Sequence, residues 1–399
     1  MVAENWQTIP LGEALTFQRG FDITREQQQA GPYLVFSSSG PKSTHSEFMV
    51  RGPGVMVGRK GSLGTVFYSD GDYWPHDTTL WVKDFHNNDP KFAFYFLQTM
   101  SFERYDAGAS NPTLNRNHIH TIPVRWPPIP VQRRIAGILS AYDGLIENNQ
   151  RRIKILEEMA RSLYREWFIL FRFPGHDKVK MVPSLLGPIP QGWEVVTLKD
   201  VTSKIGSGAT PRGGKEAYKT EGIRLIRSLN VYDYRFEFSS LAFLDEAQAA
   251  ELDNVTVATR DILLNITGAS VARCCMVPSY LMPARVNQHV AIVRTDPVLA
   301  DPHYVLDTIN SDQNKQQLLA LAQGGATREA LTKETIENFP VMLPPRPLLD
   351  KYGKCASALH AQRETLECQA YNLRRTRDLL LPRLLSGELG MKEPPALER

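Results

Sequence analysis

Two long amphipathic stretches dominate the pattern of apolar and polar positions. From Pro127 to Phe168, Leu139, Ile146, Ile153, Ala160 and Trp167 recur every seven residues. Ile135, Tyr142, Asn149, Leu156 and Leu163 interleave with them at the three-four spacing of a coiled-coil seam. The prolines of Trp126-Pro127-Pro128-Ile129-Pro130 fix φ and remove donors ahead of the stripe, and no proline interrupts it. The pattern predicts a helix of about 38 residues, roughly 57 Å long at 1.5 Å per residue. A second stripe, from about Leu348 to Leu381, carries Tyr352, Leu359, Leu366, Leu373 and Leu380 at heptad spacing, and Leu381-Pro382 with Ser386-Gly387 reads as its stop. Both stripes are charged on their outer faces, so each needs a partner helix.

Outside the stripes the pattern changes period. Residues 1–126 hold short β-type runs at Tyr33 to Phe36, Gly54 to Gly58, Gly64 to Tyr68 and Thr78 to Val82, with helical periodicity limited to Phe92 to Met100. After a linker from Phe173 to Gly192, Trp193-Glu194-Val195-Val196-Thr197-Leu198 opens a second globule and echoes Trp6-Gln7-Thr8-Ile9-Pro10-Leu11. Sliding the chain on itself by 217 residues places Gly108 on Gly325, Leu114 on Leu331, Pro123 on Pro340, Pro127-Pro128 on Pro344-Pro345, Leu156 on Leu373 and Leu163 on Leu380. Further back, Gly61-Ser62-Leu63-Gly64 resembles Gly268-Ala269-Ser270 only at a shorter offset.

The chain therefore reads as globule, helix, globule, helix: residues 1–126, 127–172, 173–343 and 344–399. The expected class is α/β (α+β), two mixed globules in pseudo-twofold repeat separated by two long helices. Equivalent helices related by such an axis pair antiparallel. The seams differ, because Ala356, Arg363, Ala370 and Arg377 stand where the first helix has Leu139, Ile146, Ile153 and Ala160. That asymmetry points to partners beyond the helix pair.

Composition narrows the class without naming a function. With 399 residues, 42% hydrophobic and 22% charged, the chain has room for two or three cores and is not disordered. A net charge of +3 permits a nucleic-acid partner without requiring one. Cys274, Cys275, Cys355 and Cys368 form no CxxC pair, so neither a disulfide framework nor a zinc site is expected, and a cytoplasmic setting fits. Neither a basic segment followed by an apolar run at Met1 to Trp6 nor a run of about 18 apolar residues is present, so neither export nor a membrane span is expected.

The run Gly108-Ala109-Ser110-Asn111-Pro112-Thr113-Leu114-Asn115-Arg116, then Ile122-Pro123-Val124, Pro127-Pro128, and Ile129 to Ile135 with Gln132, Leu139 and Asp143, resembles the signature of Type I restriction-modification specificity subunits. It recurs as Gly324-Gly325 to Leu331, Phe339-Pro340, Pro344-Pro345 and the Leu348 helix. The Ile205-Gly206-Ser207-Gly208-Ala209-Thr210-Pro211 loop is similar to a target-recognition feature of that family. Two departures stand out: Leu349-Asp350 replaces Gln132-Arg133, and His360 takes the place of Asp143.

The resemblance implies two target-recognition domains that each read half of a split site in double-stranded DNA. It implies helices that form an antiparallel coiled coil and dock two modification (methyltransferase) subunits, with restriction (translocase/endonuclease) subunits joining through that core. No catalysis and no cofactor are then expected in this chain; S-adenosylmethionine, ATP and Mg belong to the partner subunits. The competing readings are the recognition part of a split Type II restriction-methylation enzyme and a coiled-coil scaffold that binds only proteins.

A search for an active site finds fragments only. Ser110-Asn111-Pro112-Thr113 lacks the second proline of an adenine-methyltransferase motif, and Gly54 to Ser62 lacks phosphate-loop spacing. His118-Ile119-His120 has strand-like same-face spacing without a third ligand, and Cys274-Cys275 reads as core. DNA contact suits the loops better, since glycine allows close approach to phosphates while Arg and Asn can pair bidentately with guanine and adenine. The candidate DNA-binding residues are Arg59, Lys60, Ser62, Asn111 and Arg116 in the first copy, and Lys204, Ser207, Thr210, Arg224, Arg227, Asn230 and Arg328 in the second. The candidates for helix pairing or partner docking are Leu139, Tyr142, Ile146, Ile153, Leu156, Leu163, Leu359, Leu366, Leu373 and Leu380.

Overall fold

The computed structural model describes residues 6–105, 113–324 and 329–389. The chain forms two compact units: Met1–Gln150 with Cys368–Arg399, and Arg151–Glu367. Each takes part of both long helices, Ile129–Tyr164 and Arg346–Leu385.

In the first unit an antiparallel sheet runs in the order Thr16–Arg19, Thr79–Asp84, Gly54–Gly58, Val66–Ser69. A second sheet has the order Gly40–His45, Tyr33–Ser37, Tyr73–Pro75, its last two strands parallel. Gly54–Gly58 is buried throughout, which explains its unbroken apolar run. Val55 and Val57 face the main core with Phe92 and Phe96, while Met56 points the other way, toward Phe36 and Tyr73. Strand Gln7–Pro10 pairs antiparallel with Pro123–Trp126, just before the first long helix.

That helix enters the globule through a polar latch. Gln132 is 1% exposed. Its Nε2 donates to Asn88 Oδ1 (2.7 Å) and the Pro127 carbonyl (2.9 Å), and its Oε1 accepts from the Asp89 amide (2.9 Å). Ile135, Ala136 and Leu139 then continue the globule's own core, joined there by Leu384 and Leu385 from the second helix. One helical stretch further on, Asp143 accepts from Tyr95 Oη at 2.5 Å and from Arg377 Nη1 at 2.6 Å. Position 377 thus meets 143 while 384 meets the core around 135, so the two segments run antiparallel within this unit.

The second unit has the same strand order. Thr202–Ser207, Val290–Thr295, Ile262–Asn265 and Cys274–Met276 form the four-stranded sheet. Ala242–Leu244, Ile223–Ile226 and Ala284–Val286 form the three-stranded one, again with a parallel last pair, and Glu194–Thr197 pairs with Pro340–Leu343. The helices Pro90–Gln98 and Pro302–Asn310 start alike, with Asp89 and Asp301 accepting backbone N–H bonds ahead of a first-turn proline. At the long-helix entry the chemistry differs: Leu349, 1% exposed, enters an apolar cluster where the other copy has Gln132. Phe168 anchors this cluster edge-on to Tyr304 and Tyr352, both at 4.8 Å between ring centroids.

Several sequence expectations are corrected. The first long helix is α-helical only to Tyr164 and then winds as a π-helical segment, Arg165–Ile169; the wider turn brings Phe168 into the aromatic cluster. The second continues through Pro382 to Leu385, and Gly387 then takes φ +73°. Burial of Leu384 and Leu385, about 1.5–3 kcal/mol each, offsets the roughly 3 kcal/mol cost of an interior proline. Arg116–His120 is a short helix capped by Asn115, not an extended segment. At the two arginine positions of the second stripe, Arg363 is buried and Arg377 is half-buried. Among the described residues no helix is long and apolar enough to cross a membrane.

The latch and the plug should not be interchangeable. Gln132→Leu strips the Asp89 amide of its acceptor, and Leu349→Gln buries an amide among apolar groups. Each is expected to lower unfolding stability by about 1–3 kcal/mol, read from the midpoint of chemical denaturation.

Candidate nucleic-acid interface

In the first unit one sheet edge gathers the cationic candidates. Gly58 donates to the Thr65 carbonyl (2.8 Å) and Gly64 to the Gly58 carbonyl (2.9 Å), closing a hairpin. Side chains are barred at its base, since a Cβ on Gly58 would lie 2.2 Å from the Ser62 carbonyl oxygen. Gly61, at φ +75°, and Ser62 form the exposed tip. Behind it, Arg59 N donates to Thr78 O, and Leu114 N donates to Arg59 O at 2.9 Å. This ties the hairpin to the turn before the first long helix. The Arg59 guanidinium is half-buried and held below its ordinary pKa by burial and by Arg19; its Nη1 has no acceptor.

Arg19, missed by sequence reasoning, donates to Asp77 Oδ2 at 2.7 Å. Burial pushes the Asp77 carboxyl up, but Arg19, His76 and Lys60 together hold it below the usual range. Asp22, His76 and Asp77 bring possible ligand atoms within 4.8 Å of one another, yet Asp77 already serves Arg19. Arg116 lies exposed at the start of its short helix. Its neighbour His120 is not a ligand: Nε2 accepts from the Phe17 amide at 2.9 Å, and burial, then Arg116, lowers its pKa.

The second unit builds the same edge with other side chains. Thr267 bridges to Ala330 and Leu331 N donates to Ile266 O, as Lys60 bridges to Thr113 and Leu114 N donates to Arg59 O. Gly208 donates to Val290 O and Ala209 to Val286 O, as Gly20 donates to Thr79 O and Phe21 to Pro75 O. Both glycines are sterically required. A Cβ on Gly208 would sit 2.0 Å from Val286 O, and one on Gly20 would sit 2.2 Å from His76 O. Only the Gly-rich second version was legible in the sequence; in the first copy the signal is a lone glycine after Arg19.

Of the second-copy candidates, Ser207 is exposed and Thr210 is half-buried with an unpartnered Oγ1. Thr267 and His289, bonded through Oγ1 and Nδ1 at 2.7 Å, and exposed Gln288 complete the edge. Arg227 borders it, donating to the Ser240 carbonyl with its guanidinium 5.4 Å from the Tyr218 ring centre. Asn230 is a correction: it is fully buried, with Nδ2 on the Glu237 and Ser239 carbonyls and Oδ1 on the Arg227 amide, so it shapes the loop and faces no base. Lys204 is another. It pairs across the sheet with Arg294 while Ser207 pairs with Ala291, and its Nζ donates to Asn254 O at the opposite end from the Gly-rich loop. Arg224 likewise turns away, to the Leu281 carbonyl. Asn111 and Arg328, with Gly108 and Gly325, lie outside the described residues.

The seam candidates line up on one face of each helix. Leu139, Ile146, Leu156 and Leu366 are buried; Tyr142, Ile153, Leu163, Leu359, Leu373 and Leu380 are half-buried. Cys274 and Cys275 are buried, and burial pushes the Cys275 thiol up to about 12, which makes it a poor nucleophile. The exposed edges thus offer hydrogen-bond donors and close backbone approach.

Residues 3–158 match the family described as Type I restriction modification DNA specificity domain. The chain is 27% identical over 309 residues to the Type I restriction enzyme MjaIX specificity subunit of Methanocaldococcus jannaschii, covering 76% of this chain and 70% of that one. It is 22% identical over 418 residues to the MjaVIII specificity subunit of the same organism, covering 98% and 94%. The crystal structure of a Type I restriction-modification S subunit from M. genitalium has a similar fold, with a TM-score of 0.70 at 16% identity over 97% of each chain.

Gly20→Ala and Gly208→Ala should each destabilise their own unit by about 1–3 kcal/mol through overpacking, measured by thermal unfolding. The His120 bond adds a pH dependence. Its folded pKa lies below the unfolded value of about 6.5, so its contribution is full above that value and declines as pH falls toward the folded one. His120→Asn should flatten this slope in stability measured from neutral pH downward.

Proposed function

From a chain whose relatives are Type I restriction enzyme specificity subunits, we propose that this protein is the DNA sequence-recognition subunit of such a complex. It is non-catalytic. Residues 1–126 and 173–343 are two target-recognition domains, each docking on double-stranded DNA at one half of a bipartite site. Residues 127–172 and 344–399 pair as an antiparallel coiled coil about a pseudo-twofold axis. They set the gap between half-sites and dock two modification subunits, through which restriction subunits join. S-adenosylmethionine, ATP and Mg are used by those partners, in the cytoplasm.

One observation carries this reading: the same backbone edge is built twice and furnished differently. Arg19, Arg59, Lys60 and Ser62 occupy it in one unit, and Ser207, Thr210, Thr267 and Gln288 in the other. Equal scaffolds with unequal donors suit two half-sites of different sequence. Backbone and cationic contacts to phosphate set register, and side chains at the base edges set identity. Arg116, with Asn111 and Arg328, is assigned to DNA contact, Arg116 to phosphate. The seam residues from Leu139 to Leu163 and from Leu359 to Leu380 are assigned to helix pairing.

Removing one heptad from both helices shortens each by about 10.5 Å. Because base pairs stack about 3.4 Å apart, the gap in the recognised sequence should shrink by about three base pairs with both half-sites unchanged. Mapping methylated adenines in DNA from cells expressing the chain with its modification subunit reads this directly, and an unaltered gap would sink the ruler. The double variant Arg59→Ala/Lys60→Ala should weaken binding by the assembled complex on all sequences alike and reduce the log–log salt slope by about 2. A slope that stays put would remove both residues from the phosphate contacts.

A further inference from the structure

The second long helix buries an arginine that the architecture does not require. In the register that places Leu156 on Leu373, Arg363 falls on Ile146. Both are buried, at 7% and 6% exposure, so an apolar side chain serves this seam position in the other copy. Arg363 is poorly compensated. Its Nε lies 3.5 Å from Glu367 Oε1 without forming a hydrogen bond, and both Nε and Nη1 are buried without an acceptor. One turn earlier His360, 6% exposed, also leaves Nε2 unpartnered, 4.0 Å from Asp307 Oδ2. A buried cation lacking hydrogen bonds is costly, and natural structures rarely keep one without use.

Arg363 and His360 line a cavity of about 530 Å³ within the second unit. Its apolar walls include Phe236, Met276, Val277, Pro278, Ala358 and Ala361. The charged groups facing it are Arg260, Arg363, Glu364 and Glu367. Glu364 is engaged, accepting from Ser279 N at 2.7 Å and Ser279 Oγ at 2.6 Å. Burial pushes the Glu367 carboxyl up against the pull of Arg363, which weakens its hold on that cation. His303 stacks on His360 at 4.6 Å and 10°, and burial, then the nearness of His360, Arg260 and Arg363, lowers its pKa to about 3.

We propose that this cavity binds a carboxylate carried on an apolar body, with the carboxylate on the Arg363 guanidinium and the body against Phe236, Met276 and Pro278. Two sources present that chemistry: a free small carboxylic acid and an acidic side chain of a bound subunit. The occupant reaches the buried, unpartnered guanidinium by displacing Glu367 from its loose contact. The contact is the charge-assisted hydrogen bond that a guanidinium donates to a carboxylate.

Benzoate and its neutral isostere benzamide serve as probes on the full chain, followed by calorimetry and by the imidazole resonances of His303 and His360. Benzoate should bind saturably and shift those resonances, whereas benzamide should not. Arg363→Met should weaken benzoate about tenfold to a hundredfold and raise the melting temperature, because it exchanges an uncompensated buried charge for an apolar group. Arg375→Met, exposed on the same helix, should leave binding unchanged. Repeating the titration with modification subunits bound identifies the source: lost binding means a subunit's acidic side chain fills the cavity, and retained binding means a free acid does. Equal binding of benzamide, failure of benzoate to bind, or wild-type affinity in Arg363→Met each overturns the site. A lowered melting temperature or failure to fold in Arg363→Met makes the arginine structural and overturns it too; the benzoate and benzamide comparison on the unaltered chain needs no variant.

Discussion

Everything in this molecule depends on a sharing of cores between long helices and globules. A charged helix of 36 residues has one apolar stripe and no means of burying it alone. Here the stripe is completed by the globule. Ile135 and Leu139 lie in one cluster with Phe92, Val55 and Leu384; Leu349, Tyr352 and Ala356 lie in another with Phe168, Tyr304 and Ile262. Neither helix segment is an appendage, because removing it would open the core of the globule it serves.

The polar ties at these junctions reverse their partners. In the first unit a tyrosine on the short helix, Tyr95, bonds an aspartate on the long one, Asp143. Counted from the capping aspartates, the position of Tyr95 is held in the second unit by Asp307, which accepts from Tyr352 on the long helix and lies near His360. The acidic group thus sits on the facing element in the second unit, where it accepts from Tyr352 and not from His360. Gln132 and Leu349 show the same logic with a latch and a plug.

Much of this was legible in the sequence, and the reason is periodicity. Heptad spacing marks covered positions of a helix, so Leu139, Ile146, Leu156 and Leu366 fell on buried sites; Gly54–Gly58 matched its strand because a fully buried strand reads as an unbroken apolar run. Helix ends were less legible, since Leu384 and Leu385 bury themselves in a globule more than 200 residues away in sequence and carry the helix past Pro382. The candidate site was half legible. Gly-rich loops announce themselves, but Arg19 sits beside a single glycine whose necessity appears only when Pro75 and His76 are seen pressed against it. Asn230 and Lys204 were misread because residue type tells what a side chain can bond, and only the fold tells what it has already bonded.

The tie between the hairpin and the pre-helix turn runs entirely through main-chain atoms: Leu114 N to Arg59 O in one unit and Leu331 N to Ile266 O in the other. Arginine and isoleucine occupy the same station without altering it. The frame of this edge is thus indifferent to the side chains it displays, and residues at 59, 60 and 62 can drift without refolding cost. A lineage carrying such a scaffold can acquire new vocabulary by point mutation while its grammar stays fixed.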